Sequence, residues 1–164
     1  MKRLLLSFFV LTAVSFAQTD VSGIISSNTT WTSANSPYVL TGSVLVSEGV
    51  TLTIEAGVTV AFDSSKSLQI SGELIAQGTS SNKITFTSNQ SNPAAGDWGY
   101  ILFSSTSISA ITDTEGNYLS GSILEYCTVK YGGDYEYGVV TISGGSSDIS
   151  PMINNCLIEN NDGT

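Results

Sequence analysis

A stacked, all-β solenoid is the fold this sequence predicts, and three observations carry that expectation. Leu124-Glu125-Tyr126-Cys127-Thr128-Val129 and Ile153-Asn154-Asn155-Cys156-Leu157-Ile158 superimpose at an offset of 29 residues (156 − 127). Repeats of roughly 20–50 residues mark architectures in which one unit cannot bury its apolar face alone and must stack on the next. Short alternating runs rich in Ser, Thr, Val and Ile recur between glycines, and no window carries the i, i+3, i+4, i+7 apolar stripe of a helix. Proline, which suits strand interiors poorly, occurs only at positions 37, 93 and 151.

The chain opens with a targeting pattern. Lys2 and Arg3 precede an apolar stretch from Leu4 to Val14, and Ser15-Phe16-Ala17 offers a small-x-small cleavage site. Residues 1–17 are therefore expected to be a signal peptide, with Gln18 as the mature N-terminus. The apolar run is shorter than the roughly 18–20 residues that span a bilayer, and no cysteine follows the cleavage site to carry a lipid. The expected location is secreted or cell surface, with no membrane insertion after cleavage.

Cleavage would leave Lys66, Lys83 and Lys130 against fourteen carboxylates, a balance of −11, with no arginine and no histidine. Nucleic acid and anionic lipid need basic patches that displace counterions, so neither is an expected partner. The acidity itself is accounted for by solubility in an exported protein.

Gln18 to Ser36 is polar, with Val21, Ile24, Ile25 and Trp31 as its apolar content, and is expected to cap the first coil, because an open sheet edge invites aggregation. Residues 37–164 then supply the coils. Strands are expected at Tyr38 to Leu40, Val44 to Val46, Thr51 to Ile54, Val58 to Phe62, Ser67 to Ile70, Glu73 to Ala76 and Ile84 to Thr87. Beyond Trp98 the units lengthen. Asp113 to Gly121 reads as an excursion loop, after which Ser122 to Gly133, Val139 to Ile142 and Pro151 to Asn161 resume the rhythm. Apolar positions 124, 127 and 129, matched by 153, 156 and 158, are spaced by three and then two. An unbroken strand keeps a spacing of two, so a bend is expected near Tyr126 and Asn155.

Gly49-Val50-Thr51-Leu52-Thr53-Ile54-Glu55-Ala56-Gly57-Val58-Thr59-Val60 resembles the first coil of many secreted bacterial right-handed parallel β-helix proteins with the pectin-lyase-like fold. Ser71-Gly72-Glu73-Leu74-Ile75-Ala76-Gln77-Gly78-Thr79 with Lys83-Ile84-Thr85-Phe86-Thr87-Ser88 resembles their next coil, and Asp97-Trp98-Gly99 with Ile101 and Phe103 the one after. The resemblance spans roughly residues 37 to 164 and implies a right-handed parallel β-helix. It also implies a chain that stops part-way through a coil, so self-association through an open C-terminal edge is a further expectation. Activity does not follow from it, because this fold carries lyases, hydrolases, adhesins and passive spacers alike.

Lyases of the fold, as the resemblance has it, use an arginine or lysine base, commonly with calcium. Lys83 and Lys130 lie at strand candidates without nearby paired acids. Hydrolases need clustered aspartates in two protonation states, whereas the seven here are scattered at 20, 63, 97, 113, 134, 148 and 162. A non-catalytic module is the favoured expectation, and an N-terminal fragment of a polysaccharide lyase or glycoside hydrolase the alternative. No cofactor is expected. Asp134, Glu136, Glu159 and Asp162 are oxygen donors that calcium would accept in stacked turns, weighed against a plain solvated acidic edge. Gly144-Gly145-Ser146-Ser147-Asp148 lacks the spacing of a calcium-binding nonapeptide, and too few histidines and cysteines exist for tetrahedral zinc.

Tyr131, Asp134, Tyr135, Glu136 and Tyr137, following Tyr126, form the one local concentration that suggests a ligand. Aromatic faces stack on sugar rings and carboxylates accept hydroxyl hydrogens, so an extracellular or cell-wall polysaccharide is the expected partner, against the plainer reading of corner packing and loop coating. Cys127 and Cys156 occupy equivalent repeat positions and should lie about 4.8 Å apart on adjacent coils. Side chains in register point the same way, which favours a stacked reduced pair and leaves a bridge open. N-terminal sequencing of the exported protein is expected to begin at Gln18; an intact Met1 on a soluble cytoplasmic product would contradict the export reading.

Overall fold

The computed structural model describes residues 18–134, 136–144 and 148–162, so the expected signal peptide lies outside it. The first coil holds β1 (Thr19–Ile25) and β2 (Thr29–Trp31), and the second β3 (Tyr38–Val46) and β4 (Thr51–Ile54). The third is β5 (Thr59–Phe62), β6 (Leu68–Ile70) and β7 (Glu73–Gln77). The fourth begins with β8 (Ile84–Ser88) and β9 (Ile101–Phe103), detours through β10 (Ile111–Thr112) and β11 (Tyr118–Ser120), and closes with β12 (Ile123–Glu125). The fifth is β13 (Cys127–Lys130), β14 (Val140–Ile142) and β15 (Met152–Asn154), and β16 (Leu157–Glu159) starts another.

Parallel pairing sorts these strands into three stacks. On the first face Tyr38, Val60, Phe86 and Val129 follow one another in register through β3, β5, β8 and β13. On the second, Val46, Ile70, Phe103 and Ile142 align through β3, β6, β9 and β14. On the third, Trp31, Ile54, Ala76, Leu124 and Ile153 align through β2, β4, β7, β12 and β15. β3 runs across a corner, so its first half belongs to the first face and its second half to the second. Three stacks of short parallel strands, each entered once per coil, make a parallel β-helix.

The sequence dictates this because strand residues alternate sides. In β4, Leu52 and Ile54 are buried while Thr51 and Thr53 are partly exposed, and β7 repeats the pattern with Leu74 and Ala76 inside. Each coil thus projects its apolar side chains into one continuous core, where Leu68, Ile70, Phe86 and Phe103 have no exposed surface. Burying a side chain of this size stabilises by roughly 1.5–3 kcal/mol, and in-register stacking repeats that gain at every step. On the last coil Ile153, Leu157 and Ile158 remain 42–48% exposed.

The corners have a common device. Tyr126 and Asn155 take φ of 47° and 53°, and Tyr131 and Asn160 take 67° and 54°. Both pairs are equivalent positions of the 29-residue repeat, so the bend expected near Tyr126 and Asn155 is a single left-handed residue that turns the chain from the third face to the first. Outward polar ladders brace the same region: Gln77 Nε2 and Asn154 Nδ2 donate to the two oxygens of Glu125 at 3.2 and 3.1 Å.

Two regions differ from expectation in detail. Residues 18–36 supply β1 and β2, which pair in parallel with β3 and β4, because backbone pairing with the next coil makes strands of a stretch with little apolar content. The excursion at Asp113 to Gly121 belongs to an antiparallel hairpin, β10 with β11, closed by a turn in which Asp113 accepts from the backbone of Glu115 and Asn117 and from Asn117 Nδ2. Those bonds, the Asn117 side chain first, hold the Asp113 carboxyl below the usual carboxylate range.

Because a left-handed backbone costs roughly 1–2 kcal/mol for ordinary residues and nothing for glycine, Asn155→Val is expected to lose about 1–2 kcal/mol in urea unfolding. Asn155→Gly should stay within about 0.5 kcal/mol of the native chain. Equal losses for both would show that the Asn155 side chain, not the corner geometry, matters.

Candidate functional site

The corner between the first and second faces carries long loops, and one aromatic residue organises them. At the end of β8 the position above Phe62 is Ser88, too small to continue the apolar column. Trp98 fills the gap from the following loop: its ring stacks on Phe62 at 4.0 Å and 10°, it is fully buried, and its Nε1 donates to the Lys130 carbonyl at 3.0 Å. The indole leaves no room beyond it, since a Cβ on Gly132 would come within 2.6 Å of Trp98 Cε2. Ser88 Oγ, freed from packing, donates to Asp97 Oδ2 at 2.6 Å, and the same oxygen accepts from Ala94 N at 2.9 Å. The loop is thereby tied at both ends.

Backbone bonds then stack this loop between its neighbours. Gly99 N donates to Lys66 O at 2.9 Å, Gly133 N to Gly99 O at 2.7 Å, and Asp97 N to Tyr131 O at 3.0 Å. Three successive corners thus open on one side as a cavity of about 180 Å3, walled by Ser65, Ser67, Gly96, Gly99, Tyr100 and Asp134 over Trp98. A second cavity of about 310 Å3 shares Ser65, Ser67 and Tyr100 and continues over Ser43, Leu45 and Gln69. Leu45 and Gln69 are register partners on the outside of the second face, so the two cavities form a groove running across the coils.

Tyr137 lies at the upper end, its ring 5.1 Å from that of Tyr100 at 57°, and it is 43% exposed. Asp134 sets its position: Oδ1 accepts from the backbone N–H of Glu136 at 2.9 Å and of Tyr137 at 2.8 Å, and Asp134 N donates to Tyr137 O. Of the residues expected from sequence, Asp134 lines the groove, and Tyr137 stands beside it against the Tyr100 ring. Glu136 is exposed on the same turn. Tyr131 is a corner residue whose ring is covered by Lys130 Nζ at 5.5 Å, and it does not line the groove. Tyr126 forms the other corner, and Tyr135 lies outside the described residues.

Tyr100, Ser65 and Ser67 were not singled out by sequence reasoning. The signal was present, since Leu68 pairs with Ile101 and so places Ser67 beside Tyr100, but reading it requires the register across a long insertion. The scattered aspartates also find their use: Asp63 accepts from Asn89 Nδ2, and Asp97, Asp113 and Asp134 each hold a turn. Among the described residues no three acidic, cysteine or histidine side chains gather as metal ligands, Asp134, Glu136, Glu159 and Asp162 included. Both cysteines are free thiols.

Residues 23–138 match the family described as the pectate-lyase like beta helix domain. The chain belongs to this family. No curated protein and no solved structure shows a significant match. The matched span of the β-helix domain covers the coils from β1 to the turn at Tyr137 and so contains the groove. No helix among the described residues is long and apolar enough to cross a membrane.

Proposed function

We propose that this β-helix domain is an exported or cell-surface module that holds a stretch of neutral glycan along its corner groove without cleaving it. The observation that carries the reading is the Tyr100–Tyr137 pair at the mouth of a hydroxyl-lined cavity. A tilted aromatic pair offers two apolar faces of a size that suits pyranose rings, while Ser65, Ser67, Gln69 and the Asp134 carboxylate offer partners for sugar hydroxyls. A groove crossing successive coils suits an extended chain better than a compact metabolite.

Chemistry of the lining argues against turnover. Asp134 is the one carboxylate among the described lining residues, and its Oδ1 already receives two backbone N–H groups, whereas acid–base hydrolysis draws on two carboxyls in different protonation states. The second reading, part of a polysaccharide lyase or glycoside hydrolase, draws on the family's description alone.

A glycan array and an unsaturated-product assay on one preparation distinguish the two. Binding without product is expected, with Tyr100→Ala and Tyr137→Ala each weakening affinity roughly 5- to 10-fold, the truncation cost of a contact residue worth about 1–1.4 kcal/mol. Turnover would establish the second reading, and binding indifferent to both substitutions would overturn the groove.

A further inference from the structure

Cys127 and Cys156 stand one residue before the register partners Thr128 and Leu157, directly after the left-handed corner residues Tyr126 and Asn155. Their thiols adopt the same pose one coil apart. Cys127 Sγ donates to Ala76 O at 3.5 Å and Glu125 O at 3.4 Å, while Cys156 Sγ donates to Leu124 O and Asn154 O, both at 3.3 Å. Ala76 and Leu124 are themselves register partners, so the second thiol repeats the surroundings of the first.

Their environments nevertheless differ. Cys127 has no exposed surface, whereas Cys156 is partly exposed. The neighbouring Cys156 side chain, then burial, pushes the Cys127 thiol well above the ordinary range. Donation from Cys127 draws Cys156 down to about 7, against the opposing effect of its own partial burial. A partly exposed thiol with a buried thiol at the equivalent position of the adjacent coil is the arrangement that thiol–disulfide exchange needs.

We propose that Cys127 and Cys156 are a dithiol–disulfide site, in which Cys156 takes the first exchange partner and Cys127 resolves it. The Cys156 thiolate attacks one sulfur of an external disulfide such as glutathione disulfide, forming a mixed disulfide and expelling one glutathione thiolate. Cys127 then loses its proton and attacks Cys156 Sγ, expelling the second thiol. One external disulfide is reduced to two thiols, and the two cysteines are oxidised to one bridge. Adjacent parallel strands lie about 4.8 Å apart, within the roughly 4.4–6.8 Å between Cα atoms that a disulfide spans. Turning the partly exposed Cys156 side chain toward Cys127 therefore needs no travel of the strands.

The bridge would close a ring through Gly132, Asp134, Tyr137 and β14, joining the coil that carries the groove's upper wall to the next. That consequence is independent of what the groove binds.

Folded protein incubated with glutathione disulfide and weighed intact without reductant tests the site on the native chain. A product lighter by two hydrogen masses is expected, with both cysteines then resistant to alkylation after unfolding. Cys127→Ser should stop as a single glutathione adduct, and Cys156→Ser should take none over the same exposure. In the native chain the Cys156 alkylation rate should rise half-way near pH 7, and in Cys127→Ala this midpoint should move up because the donor is gone. Two adducts on the native chain, or two thiols still alkylatable after the incubation, would overturn the proposal whether or not either variant folds.

Discussion

Every other feature of this protein depends on one constraint: each coil must present its backbone in parallel register to the coil below. Parallel strands cannot be joined by a tight hairpin, so the chain returns to the same face only after visiting the other two. Register therefore fixes three things together, namely which residues enter the core, where the corners fall and which loops come to lie above one another. A one-residue slip in any coil would turn its apolar set outward. The identical left-handed placement of Tyr126 with Asn155 and of Tyr131 with Asn160 is how successive coils meet the same requirement.

The groove follows from where the stack is interrupted. Ser88 replaces an apolar residue at the edge of the first face, and Trp98 returns from the loop to restore the column by stacking on Phe62. An insertion anchored inside the core cannot wander, so Gly96, Gly99 and Tyr100 are held against Ser65 and Ser67 from the coil below and Asp134 from the coil above. Asp97 and Asp134 spend carboxylate oxygens on loop backbone. The arrangement builds a shaped wall from loops anchored on both neighbouring coils.

Much of the fold was legible because alternation and the 29-residue repeat are local signals. Thr51 to Ile54 was read to the residue, and the bend at Tyr126 and Asn155 followed from a spacing of three where two was due. β1 escaped because its backbone pairing with β3, rather than its few apolar side chains, makes it a strand. The hairpin of β10 and β11 escaped because Ile111 and Leu119 are exposed and carry no burial pattern. At the site the sequence brought Asp134 and Tyr137 to notice as neighbours in the chain. Tyr100 reaches them only through stacking across an insertion, which no local pattern records, and Tyr131 is diverted to the corner by its left-handed backbone.

The register across the longest insertion is the most demanding part of this account, because β8 and β13 are joined only through β9, the hairpin and β12. Nuclear Overhauser effects between backbone protons of the two strands test it directly. Contacts pairing Thr85 with Thr128 and Phe86 with Val129 in the parallel pattern are predicted. An antiparallel pattern, a shifted register, or contacts that join β13 to β5 without β8 between them would contradict the stacked architecture and, with it, the groove.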